Sequence, residues 1–171
     1  MKLLLSGGGR GVPVLDAFFA SQINRAAPVL YIPVAQDPSE EPYEEGLASF
    51  QRIYAPYGIT SISMCTNLRN AALDTRYAAV YIDGGNTFRL LKQVRESGFD
   101  RQLLQYLQKG GFVYGRSAGS IIFGRDITGG TWADENEVRL ADASGLHLAH
   151  GYDICCHYND AEMRRLKDER M

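Results

Sequence analysis

Apolar residues along this chain alternate between two patterns. Runs rich in apolar residues at 2–5, 29–34 and 77–83 are typical of strands that are buried on both faces of a sheet. Between these runs, apolar residues recur every three or four positions, as at 13–23 and 43–57, which predicts amphipathic helices. The alternation predicts an α/β fold, a single-domain three-layer α/β/α sandwich with a mostly parallel sheet.

The rest of the chain continues this alternation and then becomes irregular. The further predicted elements, in chain order, are a weaker strand at 59–65, a helix beginning at 88, a helix at 100–109, a strand at 111–114, a helix at 118–123, a short strand at 154–156 and a polar helix at 160–171. Parallel strands place their carboxyl ends at one edge of the sheet, so we expect the functional site there.

The composition is typical of a globular protein, with 45% hydrophobic and 22% charged residues among 171. At this length we expect one domain, residues 1–171. A net charge of −2, with acids and bases mixed along the chain, favours neither nucleic acid nor a membrane as partner. The first residues do not resemble a signal peptide, no segment reaches transmembrane length, and three cysteines do not form a disulfide framework. We therefore expect a cytoplasmic protein with reduced thiols.

The sequence Gly-Arg-Ser-Ala-Gly at 115–119 has the form of a nucleophile elbow. The predicted strand at 111–114 leads into it and the predicted helix at 118–123 leads out. A tight strand-to-helix turn projects the Ser117 hydroxyl from the sheet edge, and side chains at the two glycine positions would collide with neighbouring elements. The Gly-x-Ser-x-Gly pattern also arises by chance, and the strand before it and the helix after it are what favour a catalytic serine here.

Two other glycine-rich loops follow predicted strands and converge on the same edge of the sheet. The turn at Gly84 and Gly85 can bring bare backbone amides close to a substrate oxygen, and with the amide of Ala118 it would form an oxyanion hole. Alternatively, backbone geometry alone requires those glycines. The loop at 6–11 fits neither of the common phosphate-binding motifs, which argues against nucleotide binding.

A serine nucleophile needs a base, and His157 is the best placed of three histidines because it follows a predicted strand. His147 and His150 flank a loop and fit a structural or solvent-facing role better, and a structural role is also open to His157. Spacing alone does not choose the carboxylate that would orient the base. Six acids lie between serine and histidine: Asp126, Asp134, Glu135, Glu137, Asp142 and Asp153. The histidine and cysteine spacings do not fit a metal site, and no cofactor is expected.

These motifs together resemble the peptidase E / cyanophycinase family of serine peptidases. The resemblance is carried by the segments at 83–91, 115–119 and 157–159, in that order, and it extends over essentially the whole chain. It implies a class I glutamine amidotransferase-like (flavodoxin-like) fold in which serine replaces the nucleophilic cysteine. It also implies that the chain lacks the C-terminal strands of the family.

The resemblance assigns roles residue by residue. Ser117 would be the nucleophile and His157 the base. The amides of Gly85 and Ala118 would bind the oxyanion, and Asn86 would line the site.

The resemblance leaves the triad acid open, because family members take it either from between the serine and the histidine or from a later segment. Glu137 is the first choice, since it lies roughly where peptidase E carries its aspartate. Glu135 and Asp134 are close rivals. A dyad, or no activity, is the outcome if none of them reaches the histidine.

The resemblance implies a serine peptidase that acts on short peptides, and the peptidase E branch on dipeptides with an N-terminal aspartate. Such a substrate needs a cation, for which Arg116, Arg10 and Arg89 are candidates. Two alternatives stand beside this hypothesis: a catalytically impaired relative that acts as a binding or interaction protein, and an esterase or amidase acting on a non-peptide acyl group. We expect a monomer or a homodimer.

Overall fold

The computed structural model describes residues 1–131 and 134–157, which form a five-stranded sheet with helices on both faces. All strand pairs are parallel, and the strand order is β1-β5-β4-β2-β3. The strands are β1 (Lys2–Ser6), β2 (Val29–Ile32), β3 (Ile62–Met64), β4 (Ala79–Ile82) and β5 (Phe112–Arg116). The predicted α/β fold with a parallel sheet is confirmed.

Helices cover the sheet on both faces. They are α1 (Pro13–Ser21), α2 (Tyr43–Tyr54), α3 (Thr87–Glu96), α4 (Phe99–Gln108) and α5 (Ala118–Ile121), with short 3₁₀ turns at Ala55–Tyr57, Leu68–Asn70 and Thr128–Gly130. None of the helices described in residues 1–131 and 134–157 is long and apolar enough to cross a membrane.

Two hydrophobic cores, one on each face of the sheet, give the three layers. On the side of α1 and α2 the core is aromatic, with Phe19, Tyr54 and Tyr81 in edge-to-face contact. The opposite core contains aliphatic side chains of α3 and α4, such as Leu90 and Leu103. Strands that are buried from both sides explain the continuous apolar runs in the sequence.

The strand register brings three loops together at the carboxyl edge of the sheet. Ser6, the last residue of β1, pairs with Arg116, and Ile82, the last residue of β4, pairs with Gly115. The loops after β1 and β4 therefore begin on either side of the residue that follows β5, Ser117. The predicted convergence of the glycine-rich loops on one sheet edge is confirmed.

The prediction of a strand at 154–156 is wrong, because this segment pairs with no strand in the described part of the chain. It packs instead over Gly124 and Gly130, and a side chain at Gly130 would overlap the carbonyl of Ile154. A backbone hydrogen bond from the amide of His157 to the carbonyl of Gly7, at 2.8 Å, connects the end of this segment to the loop after β1. The helix predicted at 160–171 lies outside the described residues.

Candidate active site

The turn between β5 and α5 has the strand–turn–helix geometry predicted for a nucleophile elbow. Ser117 adopts φ 50° and ψ −116°, an unusual conformation for a residue other than glycine. A Cβ at Gly115 would overlap the carbonyl of Gly119, and a Cβ at Gly119 would overlap the carbonyl of Ile82 in β4. The steric reason predicted for the two glycines is confirmed.

Ser120, for which no role was predicted, connects this turn to β1. Its hydroxyl oxygen accepts a hydrogen bond from the amide of Ser6 at 3.0 Å and lies 2.6 Å from the carbonyl of Gly115. The amide of Ser117 donates to the Ser6 carbonyl at 2.9 Å. A buried serine one turn after the nucleophile is the signal that could have indicated this role.

The predicted nucleophile and base lie in contact. The Oγ atom of Ser117 is 2.8 Å from Nε2 of His157, a distance at which the hydroxyl can donate to an unprotonated Nε2. The imidazole packs against the loop after β1: a Cβ at Gly8 would lie 2.6 Å from both Nδ1 and Cε1 of His157. The loop at 6–11 thus fixes the position of His157, a role that its sequence did not indicate.

This packing predicts that Gly8→Ala displaces the base. The added methyl would overlap the imidazole, so the ring has to shift from its position beside Ser117. Because misplacement of a catalytic group by about 1 Å can cost a hundredfold, we expect kcat/KM to fall by about tenfold to a hundredfold. Gly7→Ala is the matched control, since its Cβ would meet only ordinary contacts at 3.9 Å. Equal activity of the two variants in steady-state assays would contradict this position of His157.

The turn at 84–85 lies directly against the nucleophile. A Cβ at Gly84 would be 3.1 Å from Cβ of Ser117, and a Cβ at Gly85, where φ is 141°, would overlap the carbonyl of Ala35. Among the described residues, none accepts a hydrogen bond from the amide of Gly85 or that of Ala118. The role of these two amides as oxyanion donors stays a prediction.

A pocket of about 270 Å³ opens beside this turn. Gly85, Asn86 and Arg89 line one side, and acidic residues from the loop after β2 line another together with Glu137. The Asn86 side chain caps α3, accepting from the amide of Arg89 at 3.0 Å and donating to the carbonyl of Glu135 at 2.7 Å. Asn86 thus lines this pocket, and its role in the site stays a prediction.

Glu137 lies at the pocket rim with 57% of its side chain exposed, and its carboxylate contacts Arg89 at 3.1 Å. Arg89 also binds Asp37 at 2.7 Å. Hydrogen bonds from the hydroxyl and amide of Ser39, together with Arg89, lower the pKa of Asp37 to about 2. Arg89 is thus held between two carboxylates inside the pocket.

The two rivals of Glu137 for the triad acid lie near the start of α3. The carboxylate of Asp134 accepts a hydrogen bond from the amide of Thr87 at 2.9 Å, and the backbone of Glu135 binds Asn86. The identity of the triad acid stays a prediction.

Arg116, one of the three candidate cations for the substrate, forms an ion pair with the buried carboxylate of Asp83. Its Nε and one terminal nitrogen each lie 2.5 Å from Oδ1 of Asp83. Arg10 binds Glu41 at 2.6 Å and lies 3.5 Å from Asp83. A role for Asp83 was not predicted, although a charged residue at the end of a buried apolar run is unusual enough to have indicated one.

Cys156 is buried beside Ser117, with Sγ 3.6 Å from the carbonyl of Ser117. Burial raises the pKa of Cys156 to about 11, so this neighbour does not compete with the serine as a nucleophile near neutral pH. In residues 1–131 and 134–157, no cluster of three His, Cys, Asp or Glu side chains could hold a metal ion.

The model of peptidase family S51 matches residues 3–170 of the chain. The chain belongs to peptidase family S51. Peptidase E of Escherichia coli is 25% identical over 127 residues, which are 74% of this chain and 52% of that protein. The uncharacterized peptidase Lmo0363 of Listeria monocytogenes is 29% identical over 89 residues, covering 51% of this chain and 43% of the relative. The match to this S51 chain thus covers only about half the length of these curated relatives.

Solved structures share the fold of this S51 chain. A crystal structure of a candidate peptidase E protein from Listeria monocytogenes has a TM-score of 0.74 at 24% identity, with 99% of this chain and 85% of the other covered. A peptidase from an acI-B1 actinobacterium has a TM-score of 0.70 at 19% identity, with 96% and 74% covered. The resemblance to the peptidase E family that was predicted from three short motifs is confirmed.

Proposed function

We propose that this protein is a serine peptidase that hydrolyses short peptides through an acyl-enzyme on Ser117. The observation that carries the proposal is the 2.8 Å contact between Oγ of Ser117 and Nε2 of His157 at a nucleophile elbow. The amides of Gly85 and Ala118 beside this pair support it, because acyl transfer needs donors for the oxygen that becomes negatively charged. Membership of a peptidase family supports the choice of a peptide bond as the bond broken.

The reaction follows from these positions. His157 accepts the hydroxyl proton at Nε2 while Oγ of Ser117 bonds to the scissile carbonyl carbon, whose oxygen then accepts hydrogen bonds from Gly85 and Ala118. The C–N bond breaks as His157 returns the proton to the leaving amine. A water molecule then attacks the acyl-enzyme with His157 again as base, and the released acid leaves Ser117 with its proton.

We propose dipeptides with an N-terminal aspartate as substrates. The pocket beside Gly85 contains both signs of charge, with the Arg89 guanidinium held between Asp37 and Glu137. An N-terminal aspartate also carries both signs close together, in its side-chain carboxylate and its α-ammonium group. Arg89 suits the carboxylate through its paired N–H groups, and the acidic residues suit the ammonium.

A panel of small substrates tests both parts of the proposal. Asp-Leu, N-acetyl-Asp-Leu, Ala-Leu and the p-nitrophenyl ester of acetate are incubated with the protein, and the released products are quantified. We expect Asp-Leu to be cleaved fastest. Cleavage of the ester with no peptide cleaved would favour the esterase alternative. No turnover of any substrate, with Ser117 inert to a fluorophosphonate, would favour a binding protein.

The substitution Arg89→Met tests the substrate side chain separately. It removes the cation and leaves two carboxylates facing the substrate carboxylate, so we expect KM for Asp-Leu to rise by about tenfold or more, the factor that corresponds to about 1.4 kcal/mol. The matched control is Arg69→Met, which removes an exposed ion pair with Glu96 far from the elbow. Unchanged KM in the Arg89 variant would contradict the assignment of this pocket to the aspartyl side chain.

A further inference from the structure

A single buried carboxylate joins three loops and two strands at the carboxyl edge of the sheet. Asp83 directly follows β4 and is 2% exposed. Five residues contact its carboxylate. Arg10 lies in the loop after β1, Tyr31 in β2, Gln36 in the loop after β2, Gly84 in the turn that follows Asp83 itself, and Arg116 at the end of β5. In the strand order these elements lie side by side, so Asp83 lies at the centre of the edge that carries the candidate site.

The two carboxylate oxygens serve different partners. Oδ1 accepts from the amide of Gly84 at 2.9 Å and from Arg116, whose two nitrogens lie at 2.5 Å. Gly84 precedes the oxyanion donor Gly85, and Arg116 precedes the nucleophile. One oxygen atom therefore connects the oxyanion turn to the elbow.

The second oxygen, Oδ2, holds Asp83 itself in place. It accepts from the hydroxyl of Tyr31 at 2.6 Å and from the side-chain amide of Gln36 at 3.3 Å. Burial and the neighbouring carboxylate raise the pKa of Tyr31, which keeps this hydroxyl protonated and donating. The carboxylate is thus fixed from the β2 side while it binds the two catalytic loops.

We propose that Asp83 is a positioning residue of the reaction, which sets the distance between the oxyanion donors and Ser117. This role rests on the proposed function. The turn at Gly84 and the elbow are closely packed, since a Cβ at Gly84 would be 3.1 Å from both Cβ of Ser117 and a terminal nitrogen of Arg116. A small displacement of the turn therefore changes the geometry at the nucleophile, and oxyanion donors act only within about 2.7–3.1 Å of the developing charge.

The negative charge is essential for this role. Asp83→Asn keeps the shape and one acceptor oxygen, but the new amide nitrogen would face donors. The partly buried Arg116 would also lose its counter-charge. We expect the turn at 84–85 and the elbow to move apart, which weakens binding of the transition state. The pocket at Arg89, which binds the substrate in its ground state, is expected to be unchanged. The kinetic signature is a fall in kcat of about tenfold or more, with KM for Asp-Leu changed less than about threefold.

The test compares Asp83→Asn with Asp16→Asn, a matched buried carboxylate. Asp16 is also 2% exposed and also accepts from a tyrosine hydroxyl at 2.6 Å, that of Tyr54, but it lies in α1. Each variant is assayed for the free energy of unfolding, for kcat and KM per folded molecule, and for the rate at which a fluorophosphonate labels Ser117. A second variant, Tyr31→Phe, removes one hydrogen bond to Oδ2 without unpairing a charge, and it covers the case in which Asp83→Asn does not fold.

We expect slower turnover and slower labelling in Asp83→Asn, a smaller loss in Tyr31→Phe, and unchanged kcat in Asp16→Asn whatever its stability. Folded Asp83→Asn and Tyr31→Phe variants with wild-type kcat and labelling rate would overturn the positioning role. A wild-type protein that is labelled at Ser117 but cleaves no peptide would refute the proposed substrates, and the labelling rates would still test Asp83. A wild-type protein that is neither labelled nor active would refute the proposed function and this role with it.

Discussion

Replacement of Ser117 by alanine is expected to abolish both peptide hydrolysis and labelling by a fluorophosphonate. The substitution removes the one oxygen that lies 2.8 Å from Nε2 of His157, and alanine supplies no atom that can form the acyl-enzyme. From the behaviour of other serine peptidases we expect kcat to fall by more than about a thousandfold, with the residual rate coming from the oxyanion donors and binding. Initial rates with Asp-Leu and mass spectrometry of the labelled protein measure the two effects.

The control for this experiment is Ser21→Ala, which removes an exposed hydroxyl that donates to the carbonyl of Phe18 in α1. This variant should be labelled and active like the wild type. Labelling that persists in the Ser117 variant, or hydrolysis at an undiminished rate, would show that another group is the nucleophile. Loss of activity in both variants would point to a general effect on folding and would remove support for the elbow.

The second large effect is expected on stability, from Gly119→Ala. A Cβ at this position would overlap the carbonyl of Ile82, so α5 and β4 have to separate at the point where they support the elbow. Overpacking of this kind costs about 1–3 kcal/mol, and backbone atoms yield less readily than side chains. We expect the free energy of unfolding, measured in urea, to fall by at least that amount, and turnover to fall with it.

Gly129→Ala is the matched control for that substitution. Gly129 lies in the 3₁₀ turn at Thr128–Gly130, and nothing lies within 4 Å of a Cβ built there. Its unfolding free energy should stay within about 0.5 kcal/mol of the wild type. If Gly119→Ala were equally harmless, the close approach of α5 to β4 would be wrong, and with it the steric reason for the second glycine of the elbow.

The sequence was sufficient to predict those parts of the site that depend on local geometry. The elbow at 115–119 could be recognised because a tight strand-to-helix turn restricts the residues on both sides of the serine. The turn at 84–85 could be recognised because it follows a strongly apolar strand. In a parallel sheet the ends of such strands meet at one edge, so their convergence followed from the period of the hydrophobic pattern.

Other parts of the site depend on contacts between residues that are far apart in sequence. The local pattern of hydrophobic and polar residues gives no information about such contacts. The fit of Gly8 against His157 requires the loop after β1 and the segment at 154–157 to meet. The bond between Arg116 and Asp83 likewise depends on the neighbouring positions of β4 and β5. Arg116 is one of three candidate cations for the substrate, and its carboxylate partner could not be identified before the strand order was known.

The strand order also has a consequence for how the protein folds. β1 is at the edge of the described sheet, and its neighbour is β5, so that Lys2 pairs with Phe112. Contacts between such distant residues form slowly, because a long loop must close before they contribute. The strands β2, β3 and β4 can pair as soon as they are synthesised, whereas β1 cannot pair until β5 has been synthesised. Because Ser117 follows β5 and His157 is seated on the loop after β1, we expect the candidate active site to assemble only in this last step of folding.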